Sequence, residues 1–392
     1  MQLQIPEATE AVACPLCGAS EGLVVGEKGR FGMPVRNLCC ATCATVYVSP
    51  RPTESAMAAY YRSTYREHYG SVGYVDKDGK QCSPGQPGYD DALLRWHTGQ
   101  ANNALALAAT PEGARVLEIG CRHGKTLQLM REARGIVASG VEPGEADAEQ
   151  ARAAGIDCFT GSLEELDVGE RRFDQVQWFH VLEHVHEPLR ALIKLRGLLE
   201  PTGTLLIEVP NVYQPYGLLE QNFFQNVHLV SYSPNTLPAL VRRAGFEVTR
   251  VVDGGSLFVV AKPRALAEGA TLPLPFEPSL LDQPEQDSTW VAERLRTYAT
   301  LELLLTVCKQ RGCLPELTTP LVKALAEPAF VGHLTDTCAY FVEQLVAQGR
   351  IDHALAVVLA VANGPHPAEL RREFKAFAER MGAPPELLAR AG

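Results

Sequence analysis

Through the middle of the chain, short apolar runs alternate with stretches whose apolar positions recur every three to four residues. The two periods mark strands and helices respectively. Strands are expected near 115–120, 136–142, 156–160, 173–179, 203–209, 246–252 and 256–262. Alternation of this kind predicts an α/β, Rossmann-like, mostly parallel seven-stranded sheet with helices on both faces. Asp90 to Ala109 reads as an amphipathic helix leading into the sheet, with Leu93, Leu94, Ala101, Leu105 and Ala108 on its apolar side. Beyond about residue 288 the helical period is nearly continuous and predicts an all-α C-terminal domain. Before it, the proline- and acid-rich Leu272-Pro-Leu-Pro-Phe-Glu-Pro-Ser279 reads as part of a linker. The expected division is 1–52 zinc ribbon, 53–110 helical lid or linker region, 111–264 sheet domain, 265–287 linker and 288–392 helical domain.

The first core strand runs into Arg115-Val-Leu-Glu-Ile-Gly-Cys-Arg-His-Gly124. Gly120 and Gly124 permit a tight turn there and let a ligand approach the backbone. The second strand ends on Glu142, where a nucleotide-binding unit places the carboxylate that accepts hydrogen bonds from ribose hydroxyls. Ligands of such sheets bind beyond the carboxyl ends of the strands, so Gly120, Glu142, Gly161-Ser-Leu163 and Trp178-Phe-His180 should converge.

These residues resemble class I S-adenosylmethionine-dependent methyltransferases. The likeness rests on Val116-Leu-Glu-Ile-Gly-Cys-x-x-Gly124, on Phe173 to Pro188, and on Leu198-Leu-Glu-Pro-Thr-Gly-Thr-Leu-Leu-Ile-Glu-Val-Pro-Asn211. Arg122 and His123 depart from it, standing where the family usually has glycine and a small residue. The resemblance implies S-adenosylmethionine as cofactor, with Glu118 fixing the turn or the methionine amino group. It further implies roles for Gly120, Arg122 and Gly124 in the cofactor turn, for Glu142 at the ribose, for Ser162 and Leu163 at the adenine edge, and for Phe179 in the lining.

Cysteine usage points to a second chemistry. Cys14-Pro-Leu-Cys17 and Cys40-Ala-Thr-Cys43 have zinc-ribbon spacing, each pair presenting two thiolates from a tight knuckle. Four thiolates leave no open coordination position, so a structural Zn²⁺ is expected. Cys39 is spare, and the C-x-x-C register favours Cys40. A redox dithiol would call for a thioredoxin-like βαβ context that the ribbon region lacks.

His180-Val-Leu-Glu-His184 also fits H-x-x-E-H, the pattern of an inverted zinc peptidase. That motif needs both histidines on one continuous helix, whereas His180 directly follows a strand-like run and a helix is expected only from about Glu183. His184 is then expected to face the acceptor or to cap that helix; the Asp, Glu and His side chains around the cleft could also hold Mg²⁺, though no spacing requires it. The insertion from Asn211 to Ser233 resembles the segment of sugar-modifying methyltransferases in which a histidine precedes an aromatic-serine pair. By that resemblance His228 is the first candidate general base and His184 the second, each offering a neutral imidazole. Tyr60, Tyr61, Tyr65 and Tyr69 share a helical face and read either as core rings or as a lid over the substrate. The stretch from Tyr74 to Tyr89 reads as a mobile loop.

The chain has 392 residues, 46% of them hydrophobic, enough for two or three cores. A net charge of −10 argues against a phosphate-binding surface, so no nucleic-acid partner is expected. Met1-Gln-Leu-Gln-Ile-Pro-Glu lacks the look of a secretory signal and no run suits a membrane span, making cytoplasm the default and excluding membrane partners. Eleven cysteines, five of them within the first 43 residues, suit metal ligation in a reducing compartment. Together with the resemblance, these features lead to an O-methyltransferase acting on a small polar or carbohydrate acceptor from glycan or natural-product biosynthesis. A carbon acceptor on a sugar and a non-catalytic scaffold are the alternatives. The C-terminal helices are expected to serve self-association or a protein partner.

Overall fold

The computed structural model describes residues 8–63, 74–75, 81–215, 219–296, 298–299, 322, 342–343, 345–363 and 368–380. Tyr65, Tyr69 and much of the segment between Val291 and Ala347 that carries the helical pattern lie outside the described residues.

The N-terminal ribbon is built on β1 (Gly22–Lys28), β2 (Pro34–Cys40) and β3 (Val46–Val48), joined as antiparallel neighbours. Helix α1 (Glu54–Ser63) follows; α2 (Tyr89–Leu107) then leads to the core sheet. The core strands are β4 (Arg115–Ile119), β5 (Val137–Glu142), β6 (Asp157–Thr160), β7 (Phe173–Phe179) and β8 (Leu199–Pro210). After the insertion strand β9 (Val230–Ser231), β10 (Phe246–Asp253) and β11 (Ser256–Pro263) complete the sheet. Its order is β6-β5-β4-β7-β8-β11-β10, with β11 antiparallel to both of its neighbours. Strand order therefore reverses between β4 and β7, which opens a crevice at their carboxyl ends, where α/β sheets hold ligands. All seven expected strands form.

Alternation of side chains across the pleat explains the two cores. Leu117, Ile119, Val176, Trp178, Leu205 and Ile207 bury on one face. Val116, Phe179 and Leu206 bury on the other, beneath Ala101 and Ala104 of α2 and beneath Leu127 and Met130 of α3 (Lys125–Arg134). Interior strands covered on both faces must be apolar at nearly every position, as β8 is from Leu205 to Val209 except at Glu208. The same face as Phe179 carries a buried polar chain. Thr110 Oγ1 donates to Gln175 Oε1 at 2.6 Å, Gln175 Nε2 to Gln177 Oε1 at 2.8 Å, and Gln177 Nε2 to Glu118 Oε2 at 2.6 Å. Each link satisfies a group that would be costly to bury alone. The remaining helices around the sheet are α4 (Glu145–Ala153), α5 (Pro188–Leu198) and α6 (Thr236–Arg243).

The ribbon is fused to the sheet domain rather than tethered to it. Strand β9, from the insertion, pairs with β3 and makes the ribbon sheet four-stranded. A third core joins Cys39, Ala44 and Val46 of the ribbon to Phe223 and Phe224 of the insertion. Val291, Leu295 and the C-terminal helices α7 (Ile351–Asn363) and α8 (Ala368–Arg380) complete it. The segment expected as a linker is held down by α6. Arg242 Nη1 donates to the Leu280 carbonyl and Arg243 Nε to the Leu274 carbonyl, both at 2.8 Å. Arginines in a last helical turn are well placed for such carbonyls, and this converts the proline-rich stretch into a strap. Among the described residues, no helix is long and apolar enough to cross a membrane.

Candidate functional site

The turn after β4 places its two glycines in left-handed backbone, with φ of 72° at Gly120 and 73° at Gly124. A Cβ on Gly120 would lie 2.5 Å from Val181 Cγ2, so this position has neither the conformation nor the room for a side chain. Arg122, where glycine was expected by resemblance, also takes a left-handed φ of 50°. The backbone thus keeps a glycine-like turn with an arginine in it, at a local cost on the order of 1–2 kcal/mol. That conformation aims the Arg122 N–H at Glu142 Oε2, 3.0 Å away, while Gly144 N–H donates to Glu142 Oε1 at 2.8 Å. Glu142 is buried, and its desolvation raises the carboxyl pKa against those two hydrogen bonds. Each oxygen keeps a lone pair for a further donor.

Glu118 lies deeper. Burial pushes its carboxyl up to about 8, the Gln177 amide pulls the other way, and the nearby Glu142 charge adds to the rise. A cationic ammonium arriving beside it would restore the carboxylate. Ser162 and Leu163 follow β6: Ser162 N–H donates to Glu165 Oε2 at 2.8 Å, Glu165 N–H lies 3.3 Å from Ser162 Oγ, and Leu163 is buried. Phe179 ends β7, buried on the α2 side. The sheet edge therefore gathers Gly120, Arg122, Gly124, Glu142, Ser162, Leu163 and Phe179 at the ends of four neighbouring strands. The donor set fits an adenosyl cofactor, with a buried carboxylate for ribose hydroxyls and a backbone turn that a Cβ would obstruct.

Histidines cluster beyond the end of β7. His180 follows β7 with φ of 53°, and Leu182–His184 is one 3-10 turn; α5 begins only at Pro188, with Glu187 at its N-cap. His180 and His184 therefore do not share a continuous helix, which removes the peptidase geometry and the helix-capping role for His184. Instead the insertion folds back so that the His184 and His228 rings stand 4.9 Å apart, nearly perpendicular. His184 Nδ1 lies 2.9 Å from the Val227 carbonyl and 3.1 Å from Tyr61 Oη. Tyr60 is buried in the core, as the first reading of the tyrosine face expects, and Tyr61 packs against that core and reaches His184.

Burial first, then the neighbouring His184, lower the His228 pKa to about 3, which weighs against the expected role of general base. For Glu183, burial alone would raise the pKa, but His180 and His184 outweigh it and keep the carboxyl at about 2. His180 Nε2 lies 3.2 Å from Glu208 Oε1. Sequence reasoning missed Trp96, His97 and Glu208, and noted His123 only as a departure in the glycine turn. Trp96 stacks on His180 at 6.5 Å, and the rings of His97 and His123 are 5.1 Å apart. Only the crossing of α2 over the β4 turn brings these rings together, so no local spacing signals them.

At the ribbon, Cys14 Sγ and Cys43 Sγ are 3.5 Å apart, Cys17 Sγ and Cys40 Sγ 3.4 Å, and all four sulfurs lie within 4.8 Å of one another. Four Zn–S bonds of about 2.3 Å at tetrahedral angles separate sulfurs by about 3.8 Å, so the cluster has the size of a closed zinc site. Gly18 (φ 78°) and Ala44 (φ 59°) turn the two knuckles. Cys39 points away, with the Ala44 and Ser288 carbonyls each 3.7 Å from its sulfur.

Residues 95–251 match a family model described as a methyltransferase domain, and this part of the chain is a class I S-adenosylmethionine-dependent methyltransferase domain. The chain is 31% identical over 176 residues to the tRNA U34 carboxymethyltransferase of Methylococcus capsulatus, covering 41% of this chain and 51% of that protein. Over 153 residues it is 31% identical to the tRNA U34 carboxymethyltransferase of Syntrophotalea carbinolica, covering 36% and 47%. A Mycolicibacterium smegmatis protein named "Probable S-adenosylmethionine-dependent methyltransferase" is 29% identical over 145 residues, covering 36% and 55%. The chain spans about half the length of the curated relatives it matches.

These relatives correct two expectations. The small polar or carbohydrate hydroxyl, with its sugar-carbon and scaffold alternatives, and the exclusion of nucleic acid are contradicted by relatives that are themselves named for tRNA modification. The exclusion rested on the net charge of −10, a whole-chain sum that does not describe the charge at any one site. Arg122 and Lys125 lower the pKa values of His97 and His123, behind burial, while Asp147 opposes them at His123. Arg30 acts in the lowering direction on His228.

Proposed function

We propose that the chain binds S-adenosylmethionine, or a carboxylated counterpart, at the carboxyl ends of β4 and β5 and transfers the sulfonium-borne group to a nucleoside of tRNA. The observation that carries this reading is the 30–31% identity, across 153 to 176 residues, to three tRNA U34 carboxymethyltransferases.

The cofactor supplies an already activated carbon, and the rest falls to this chain. Glu142, anchored by the Arg122 and Gly144 N–H groups, takes the ribose hydroxyls with its free lone pairs. Glu118 faces the methionine ammonium, Ser162 and Leu163 the adenine edge, and Phe179, Gly120 and Gly124 close the apolar wall. Holding two reactants in contact and excluding water supplies most of what such a transfer requires. His184 and His228 orient the acceptor; His228, neutral over the working pH range, serves as a hydrogen-bonding or ligating imidazole rather than as a base. The four cysteines hold a structural Zn²⁺.

The test is incubation of hypomodified tRNA with the protein and either cofactor, followed by digestion and mass spectrometry of the nucleosides. The expected result is one nucleoside gaining a methyl or carboxymethyl group. An unchanged nucleoside profile, with cofactor binding intact, overturns the acceptor assignment.

A further inference from the structure

Glu183 is 2% exposed, and its Oε2 has no hydrogen-bond partner among the described residues. A carboxylate oxygen so placed would be costly unless something positive met it. Its Oε1 makes ion-pair contacts of 3.7 Å with His184 Nε2 and His180 Nδ1, beyond hydrogen-bond reach, so Oε2 is the atom left without a hydrogen-bond partner. One ligand atom each from Glu183, His184 and His228 falls within 4.8 Å of the other two. Metal–nitrogen and metal–oxygen bonds of about 2.0–2.2 Å put neighbouring ligand atoms about 3–3.5 Å apart, so a modest inward movement closes this set on an ion.

The surroundings are those of a metal-binding imidazole. His184 Nδ1–H can donate to the Val227 carbonyl at 2.9 Å, which fixes the tautomer and leaves Nε2, the nitrogen facing Glu183, with its lone pair free. His228 arrives on the insertion, which β9 clamps to the ribbon two residues further on. We propose that Glu183, His184 and His228 bind a divalent transition-metal ion at a second site, separate from the four cysteines. Two imidazoles and a carboxylate suit zinc, iron, manganese, cobalt or nickel better than magnesium or calcium. Three protein ligands leave at least one coordination position open, in contrast to the closed thiolate set. Metal binding here does not depend on the tRNA reading, and its readout is independent of turnover.

Cobalt(II) distinguishes the two sites. The full-length protein is stripped with chelator, reloaded with cobalt, and followed by metal analysis and electronic absorption. Thiolate ligation gives intense charge-transfer bands, whereas imidazole and carboxylate give only weak ligand-field bands. The expected result is two equivalents per chain. Glu183→Gln, nearly isosteric, should weaken the second equivalent by more than about 100-fold, beyond the loss typical of an outer contact, and leave the thiolate bands intact. His228→Gln should do the same, while Cys40→Ser should abolish the thiolate bands. Retained thiolate bands also report that each histidine or glutamate variant remains folded. A single equivalent in the wild-type protein, or a second equivalent indifferent to both Glu183→Gln and His228→Gln, overturns the site.

Discussion

The two clusters of metal-ligating side chains make instructive opposites. The cysteine cluster draws four identical, soft ligands from two knuckles 23 to 29 residues apart, and all its positions are filled by protein. The Glu183–His184–His228 cluster joins one 3-10 turn to a histidine 44 residues further on in the insertion, mixes ligand types and leaves a position open. The first is a staple that a sequence can announce by spacing. The second exists only because β9 pairs with β3 and folds the insertion over the end of β7. Stability and chemistry are thereby coupled, since the strand that steadies His228 is also part of the zinc ribbon.

Breaking the closed cluster should have the largest effect. Cys40→Ser should eliminate ribbon metal and destabilise the protein by about 3 kcal/mol or more, because metal affinity is folding free energy in such a module. Thermal unfolding should move down by roughly 4 °C or more, and the β9 clamp on His228 should loosen with it. Breaking the open cluster should do the reverse. His228→Gln should lower tRNA modification by about 10²-fold or more while shifting the unfolding midpoint little and leaving cofactor affinity unchanged. Comparable losses of stability in both variants would mean that the two clusters are not functionally distinct.

A smaller effect tests the cofactor side by pH. The folded-state pKa of Glu118, about 8, lies above its unfolded value, so the native state holds the extra proton between the two. Its contribution to stability is full below the unfolded pKa and is lost as pH rises through about 8. Glu118→Gln should therefore flatten the fall in stability between about pH 4.5 and 8 relative to wild type, as read from denaturant midpoints across pH. The smallest effect is expected at Arg122→Gly. Relief of the left-handed φ should offset the lost side chain, keeping stability within about 1 kcal/mol of wild type by the same denaturant assay.

Much of the framework was legible because it is locally written. Period-two and period-3.6 patterns gave all seven core strands, and C-x-x-C spacing chose Cys40 over Cys39, which points elsewhere. The glycine turn and Glu142 were likewise visible, being about twenty residues apart in one strand-turn-helix unit. What escaped depends on tertiary assembly. Trp96 and His97 meet the site only because α2 crosses it, and Glu208 meets His180 only through the β7–β8 register. H-x-x-E-H misled because it encodes a helix, whereas left-handed backbone at His180 ends the strand and a 3-10 turn follows. The acceptor was misjudged through a whole-chain charge that carries no information about the few side chains at the sheet edge.

The central claim is that the end of β5, with the turn after β4, holds an adenosyl sulfonium cofactor. Isothermal titration of the purified protein with S-adenosylmethionine and S-adenosylhomocysteine tests it most directly, with Glu142→Ala alongside. The account predicts one binding event per chain for wild type and an affinity lower by about 10²-fold in the variant, the loss of hydrogen bonds to a charged group. No binding of either compound by the folded wild-type protein, or equal affinity in the variant, would contradict it.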